Sequence, residues 1–118
     1  MAIVSTLAMT VTVSGNGISE TYNLMAVNPV VNTNAPGGGP VLTALVSGPN
    51  ELTVPPNTMI MYIIPTSTST VILTLKGITG DTGFTLAPGL IAMLPIPSGT
   101  TSVLVNASAA VNVSILFG

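Results

Sequence analysis

From residue 41 to the C terminus, short apolar segments alternate with turn-forming clusters such as SGPN, PPN, PTSTS and PSGTT. None of the apolar segments has the 3.6-residue period or the length of a helix. Short strands that recur between such turns predict an all-β fold, an antiparallel β-sandwich over residues 41–118. The predicted strands are 41–47, 51–54, 58–64, 70–76, 84–86, 90–96, 102–107 and 111–117.

Residues 1–27 predict an N-terminal β-hairpin or arm. Residues 2–13 alternate between apolar and polar side chains, which is typical of a half-buried strand. Asn16-Gly17 follows, and this pair favours a hairpin turn because both residues tolerate positive φ. We expect the return strand at 18–27, although Glu20 occupies a position whose side chain would point inward. The apolar residues expected to face inward are Ile3, Leu7, Met9, Val11, Val13, Ile18, Tyr22 and Leu24.

The stretch NPVVNTNAPGGGP, residues 28–40, predicts a connection without regular structure. Three consecutive glycines between prolines do not support a helix or a strand. The connection is either a long crossover loop of a Greek-key sandwich or a hinge that lets residues 1–27 reach a neighbouring subunit. We expect one structural domain overall.

Two of the predicted strands, TMIMYII and LIAMLPI, are apolar on both faces. A strand of a two-layer antiparallel sandwich normally has one solvated face, so these strands need a second cover. That cover is either a long segment of the same chain or another subunit, because large exposed apolar patches usually mark association surfaces. The residues that we expect at such an interface are Met59, Met61, Ile63, Ile91 and Met93.

Charged side chains are scarce. Only 3% of the 118 residues are charged, namely Glu20, Glu51, Lys76 and Asp81, whereas about 25% is usual in soluble domains. With a net charge of -2, there is little repulsion between copies. This composition predicts a protein that packs against copies of itself or against a partner.

The same composition argues against catalysis, cofactor binding and metal binding. The chain has no His, Cys, Arg, Trp or Gln, and its three carboxylates lie in separate segments, so we expect no enzymatic activity and no cofactor. The chain lacks the thiolate and imidazole side chains that usually bind transition metals. A calcium site at Asp81 would have one carboxylate where dedicated loops have several. We therefore expect no metal site.

Nucleic-acid and membrane binding are also not expected. One lysine cannot neutralise a phosphate backbone. The mean hydropathy is +0.81, but Ser, Thr, Asn, Pro or Gly clusters interrupt every stretch long enough for a membrane-spanning helix. The apolar start of the chain lacks a basic segment, so we expect no cleaved secretory leader.

The octet KGITGDTG, residues 76–83, has glycine at every third position. A phosphate-binding loop needs its glycines before a helix and its lysine at the helix start, and collagen needs many more triplets. The context, strand to strand, predicts a glycine-rich turn in which Lys76 and Asp81 can pair. The glycines that allow unusual backbone angles are Gly77, Gly80 and Gly83.

Residues 51–118 contain three characteristic segments that follow one another in a fixed order. LTVPPNT precedes an apolar strand, TSTSTVILTLKGITGDTGFTLAPG follows, and IPSGTTSVLVNASAAVNVSILFG ends the chain. This pattern resembles small structural proteins of tailed phages, especially capsid decoration or cement proteins. The resemblance implies a β-sandwich, often jelly-roll-like, that forms trimers and clamps the major capsid protein or another virion protein. It also implies assembly in the host cytoplasm and location in the virion.

Two other functions fit a surface of Ser, Thr and Asn. A carbohydrate-binding or surface-binding module is one, although sugar platforms usually need more aromatic residues than this chain has. An ice-binding protein is the other, suggested by TSTST and by the threonines of 6–12, but no fixed threonine repeat is present.

Overall fold

The fold consists of β-strands throughout the described part of the chain. The computed structural model describes residues 3–23, 30–77 and 80–118. In these ranges the strands are β1 (Ser5–Leu7), β2 (Thr10–Gly15), β3 (Ile18–Asn23), β4 (Val30–Asn32), β5 (Val41–Leu45), β6 (Gly48–Thr53), β7 (Ile60–Ile64), β8 (Leu73–Lys76), β9 (Phe84–Leu86), β10 (Ala92–Pro95), β11 (Ser102–Ala107) and β12 (Val111–Phe117).

Strands β5 to β12 form two four-stranded antiparallel sheets that pack on each other, which confirms the predicted β-sandwich. Sheet I has the order β10-β7-β12-β5, and sheet II has the order β6-β11-β8-β9. The pairs β5–β12, β6–β11, β7–β10 and β8–β9 are nested. The chain therefore folds as one long hairpin whose successive strand pairs alternate between the two sheets.

The hydrophobic core lies between the two sheets. Alternate residues of each strand point inward because successive side chains of a strand lie on opposite faces. Each aliphatic side chain fully buried there contributes about 1.5–3 kcal/mol. The buried core residues are Leu45, Met61, Ile63, Val113 and Ile115 from sheet I and Leu73, Val105 and Ala107 from sheet II.

Strand boundaries differ from the prediction mainly at turns. The predicted spans 84–86, 102–107 and 111–117 match β9, β11 and β12. SGPN was expected to be a turn, but β6 already begins at Gly48. The Asn50 side chain explains the difference: its Oδ1 accepts from Val46 N at 2.9 Å, and its Nδ2 donates to Val46 O at 3.0 Å. This side chain bridges the turn and shortens it.

A small sheet joins the N-terminal region to the sandwich. β1 pairs antiparallel with β4, with Ser5 opposite Asn32, and Ala35 N donates to Ile3 O at 2.7 Å. We call this pair of strands the neck. The prediction that residues 28–40 lack regular structure is wrong at β4, because Val-Val within that stretch pairs with β1 despite the flanking turn residues.

Beyond the neck, β2 and β3 form a hairpin at the predicted turn. The prediction of one continuous strand over residues 2–13 is wrong, because β1 and β2 are separate strands and β1 pairs with β4. The turn residues Asn16 and Gly17 have φ of 49° and 79°, which suits a two-residue hairpin loop. The expectation of a half-buried hairpin is wrong, because every residue of β2 and β3 is exposed. Alternation produced an apolar face, but two strands alone provide no second layer to cover it. Residues 24–27 of the predicted return strand, including Leu24, lie outside the described residues.

Replacing Met61 by alanine should destabilise the protein much more than replacing Met59. Met61 is 0% exposed in the core, whereas Met59 is 44% exposed. We expect Met61→Ala to lower the free energy of unfolding by about 2–5 kcal/mol, since it removes buried contacts and leaves a cavity. Urea unfolding measures both variants. Equal effects would mean that Met61 is not a core residue.

Candidate association surface

The outer face of sheet I is largely apolar. Strand register places Met93 and Leu116 on either side of Tyr62, and it places Ile64 and Leu42 on either side of Ser114. The residues with outward parity are Met93, Pro95, Ile60, Tyr62, Ile64, Asn112, Ser114, Leu116, Leu42 and Ala44. Apart from the Tyr62 phenol, only Asn112 and Ser114 among them are polar.

The outer face of sheet II has the opposite character. Glu51 and Lys76 lie on either side of Leu104, and hydroxyl or amide side chains occupy most other outward positions. The residues with outward parity are Pro49, Glu51, Thr53, Thr74, Lys76, Thr85, Ser102, Leu104 and Asn106. Glu20 lies in β3 and Asp81 in the β8–β9 turn, so none of the four charged side chains lies in sheet I.

The neck covers one end of the outer face of sheet I. Gly118 pairs with Ile60, with N···O distances of 3.0 and 2.9 Å, and Ile60 is buried although it has outward parity. Ser5 of the neck packs so closely on Gly118 that a Cβ there would lie 2.8 Å from Ser5 Oγ. Burial also raises the pKa of the neighbouring Tyr62 phenol. The chain itself therefore supplies part of the second cover.

The rest of the face is partly open to solvent, and Tyr62, Ile64 and Leu116 are half-buried there. Met93 is 36% exposed, Ile91 just before β10 is 65% exposed, and Leu42 is also exposed. Apolar side chains that are clustered and exposed in this way mark association surfaces more often than scattered ones do. We call this partly exposed region the apolar face; it consists of Met93, Leu42, Tyr62, Ile64 and Leu116, with Ile91 at its margin.

The predicted interface residues separate into two groups. Met61 and Ile63 are 0% and 1% exposed in the core, so the expectation that they face a neighbour is wrong. Their parity in β7 points toward sheet II. Met59, Ile91 and Met93 are exposed and remain predicted interface residues.

The sequence-based selection missed Tyr62, Ile64, Leu116 and Leu42. A signal for them exists in the last strand, where Asn112 and Ser114 mark the outward parity of β12. Leu116 shares that parity. Once β7 is known to pair with β12, Tyr62 and Ile64 follow, but the pairing itself is not evident from the sequence.

The β2–β3 hairpin has an apolar face of its own. Val11 lies opposite Tyr22, and Val13 lies opposite Glu20. Val11, Val13, Ile18 and Tyr22 are each between 41% and 53% exposed. Tyr22 Oη donates a hydrogen bond to Glu20 Oε2, which raises the pKa of the Tyr22 phenol. The other face is polar, with Thr12 and Thr21 hydroxyl oxygens 3.4 Å apart.

A neutral cleft of about 820 Å³ lies between the neck and the end of the sandwich. Asn32 and Asn34 line it from the neck, and Pro55, Met59 and Thr100 line it from the sandwich. Asn32 Nδ2 donates to Asn57 O at 2.6 Å, which fixes the neck to the sandwich. The cleft contains amide, hydroxyl and proline groups, and no charged side chain lines it among the described residues.

The glycine-rich octet lies between β8 and β9, which are antiparallel neighbours. Asp81 Oδ2 accepts a hydrogen bond from Gly77 N at 3.0 Å. Gly83 has φ of +77°, and a Cβ there would collide with Leu75 O and lie 2.8 Å from Lys76 Cγ. Gly80 has open space around it. Residues 78 and 79 lie outside the described residues.

In the described ranges, no three His, Cys, Asp or Glu side chains come together as metal ligands. The same ranges contain no helix that is long and apolar enough to span a membrane.

No protein-family model matches this chain, and comparison with curated proteins and with solved structures finds no significant similarity.

Replacing Gly83 by alanine should destabilise the protein, whereas Gly80→Ala should have little effect. The left-handed backbone at Gly83 costs a residue with a Cβ about 1–2 kcal/mol, and the collision with Leu75 O adds to this. Thermal or urea unfolding of both variants measures the difference. Equal stability of the two variants would contradict the tight turn at Gly83.

Proposed function

We propose that this protein is a non-enzymatic structural protein that assembles through its apolar face. The observation that carries the proposal is the contrast between the two outer faces of the sandwich. The outer face of sheet I carries exposed Met93 and half-buried Tyr62 and Leu116, whereas the outer face of sheet II carries Glu51 and Lys76. A protein that acted alone would have no physical reason to leave one sheet face apolar, because exposed apolar area lowers solubility.

A decoration or cement protein of a viral capsid is the assignment that we favour. Nested strand pairs that alternate between two four-stranded sheets support a jelly roll, a fold shared by viral capsid and lectin domains. The resemblance of residues 51–118 to phage decoration proteins supports the same assignment. Assembly as a trimer on the major capsid protein in the host cytoplasm follows from that resemblance.

The edges of the sandwich also support association. Exposed strand edges can pair with other chains, and proteins protect them with proline, charge or short length. β6 carries Pro49 and Glu51, β10 carries Pro95, and β9 has three residues. β5, Val41–Leu45, has none of these protections, and within the described residues it pairs only with β12. Its edge adjoins the apolar face at Leu42.

Met93→Lys should weaken assembly, whereas Thr85→Lys should not. Both residues lie on edge strands with outward parity, but Met93 belongs to the apolar face and Thr85 to the outer face of sheet II. A lysine buried at an interface without a partner is costly, so we expect at least about a tenfold loss of affinity for Met93→Lys. Light scattering and sedimentation measure mass, and urea unfolding verifies that both variants fold.

Assembly should also be nearly insensitive to salt. Because no charged side chain lies in sheet I, raising the salt concentration from about 0.05 M to about 1 M should change the association constant less than tenfold. A loss of about a thousandfold would show that charges drive association and would refute the apolar mechanism. A solitary monomer at high concentration would refute the assembly function, and absence of the chain from purified virus particles would refute the viral assignment.

Carbohydrate binding is a second candidate, and the cleft beside the neck favours it. Asn34, Asn57 and Thr100 supply amide and hydroxyl groups in a neutral cleft of about 820 Å³, and such groups can bind sugar hydroxyls. Glycan-array binding that Asn34→Ala abolishes, with Asn112→Ala as a control outside the cleft, would favour this function. Absence of glycan binding would exclude it.

A further inference from the structure

We propose that the β2–β3 hairpin of one copy packs its apolar side chains on the apolar face of a second copy of this chain. This inference rests on the proposed assembly function and adds the partner and the contact. The two surfaces belong to the same molecule: the hairpin strands are exposed, and the apolar face is partly exposed, with Met93 and Leu42 open to solvent. Within one copy, the neck rests on Gly118 beside Tyr62, while the hairpin beyond it remains exposed.

The hairpin needs a cover because a two-stranded hairpin is only marginally stable alone in water. Every residue of β2 and β3 is exposed, and the apolar side chains Val11, Val13 and Tyr22 project from one face. Packing on a further layer is the usual way in which such a face becomes stable. The inference therefore predicts that the hairpin is more ordered in the assembly than in the monomer.

Charge distribution favours the apolar face of a second copy over the outer face of sheet II. Glu51 lies on sheet II and would approach Glu20 of an incoming hairpin, and like charges repel. Lys76 lies nearby on that sheet, but both charges would have to lose their water when Val13 and Tyr22 pack there. The apolar face has no charged residue and requires only the desolvation of Glu20, whose Oε2 already accepts a hydrogen bond from Tyr22.

The hairpin is small enough to fit on sheet I. Strands of six residues make the hairpin about 20 Å long and about 10 Å wide, and four strands make sheet I about 19 Å wide and about 17 Å long. One docked hairpin would bury about 400 Å² over both partners, and a reciprocal pair of hairpins about 800 Å², below the 1,200–2,000 Å² of stable complexes. We therefore expect a weak, concentration-dependent dimer unless further contacts form in a larger assembly.

The neck makes a reciprocal arrangement possible. It lies at the end of sheet I, next to Gly118 and Tyr62, so the hairpin begins on the same side of the molecule as the apolar face. Two copies related by a twofold axis can then each place a hairpin on the other, with identical contacts. Such an exchange leaves both apolar surfaces covered.

Glu20→Gln should strengthen association, because a neutral amide loses water at lower cost than a carboxylate does. We expect the dimer dissociation constant to fall about fivefold to tenfold. Glu51→Gln is the matched control: it changes the net charge equally but lies on the outer face of sheet II. An equal effect of both substitutions would reflect net charge alone and would overturn the proposed contact.

Cross-linking tests the contact directly, since these 118 residues contain no cysteine. Val13→Cys on the hairpin is mixed with Leu42→Cys on the apolar face or with Thr85→Cys on sheet II. A bismaleimide with a span of about 10 Å, close to the spacing between packed sheets, should join Val13→Cys to Leu42→Cys at least fivefold more than to Thr85→Cys. Ile18→Cys serves as a second hairpin position.

The outcomes separate this inference from the proposed function. If Met93→Lys disrupts assembly but neither hairpin cysteine joins Leu42→Cys preferentially, the assembly function stands and the hairpin contact is refuted. Preferential joining to Thr85→Cys also refutes it. If the unmodified protein stays monomeric at all concentrations, both the assembly function and the hairpin contact are refuted. Intermolecular joining of hairpin to Leu42→Cys, with a stronger dimer for Glu20→Gln, supports the contact.

Discussion

Burial of alternate apolar side chains between sheets I and II holds the sandwich together. Met61, Ile63 and Val113 of sheet I meet Val105 of sheet II in one cluster, and nested strand pairing brings these distant segments into register. Every outward position is a consequence of this inward packing. Because Met61 and Ile63 point inward, Tyr62 and Ile64 point outward, and the apolar face exists only because both parities of β7 are apolar.

The scarcity of charged residues is the reason why the apolar outer face of sheet I is informative. In most soluble domains, lysine and glutamate would occupy the outward positions of both sheets, and a few apolar residues among them would need no explanation. Here Glu51 and Lys76 lie on sheet II, and the outer face of sheet I has polar groups only at Ser114, Asn112 and the Tyr62 phenol. The two sides of the sandwich therefore differ in what they can contact, even though they share one architecture.

The N-terminal region consists of two parts that differ in how they contact the sandwich. The neck is fixed by backbone and side-chain hydrogen bonds, including that from Asn32 to Asn57, whereas the residues of the hairpin strands are exposed. The radius of gyration of 15.9 Å exceeds the roughly 13 Å expected for a compact domain of this length. A hairpin that projects from the sandwich accounts for the larger value.

Local patterns in the sequence were sufficient for most strands of the sandwich, for the turn at Asn16-Gly17 and for the sandwich class, but not for β4. These features depend on interactions between near neighbours: alternation along one strand, and positive φ at a few turn positions. The sequence also showed that β7 is apolar on both faces. It did not show which face is buried, and the inward assignment of the hairpin residues was wrong for the same reason.

Only tertiary structure decided those questions. The position of a residue along a strand determines on which of the two faces its side chain lies. Burial depends on which distant strands pack against that face. Val105 packs against the face that carries Met61, whereas no described residue covers Val13. The neck is a further case, since β1 pairs with β4 and Asn32 of β4 donates to Asn57 O, both contacts between segments distant in sequence. Side-chain alternation is a property of one strand, whereas cover is a property of the layers around it.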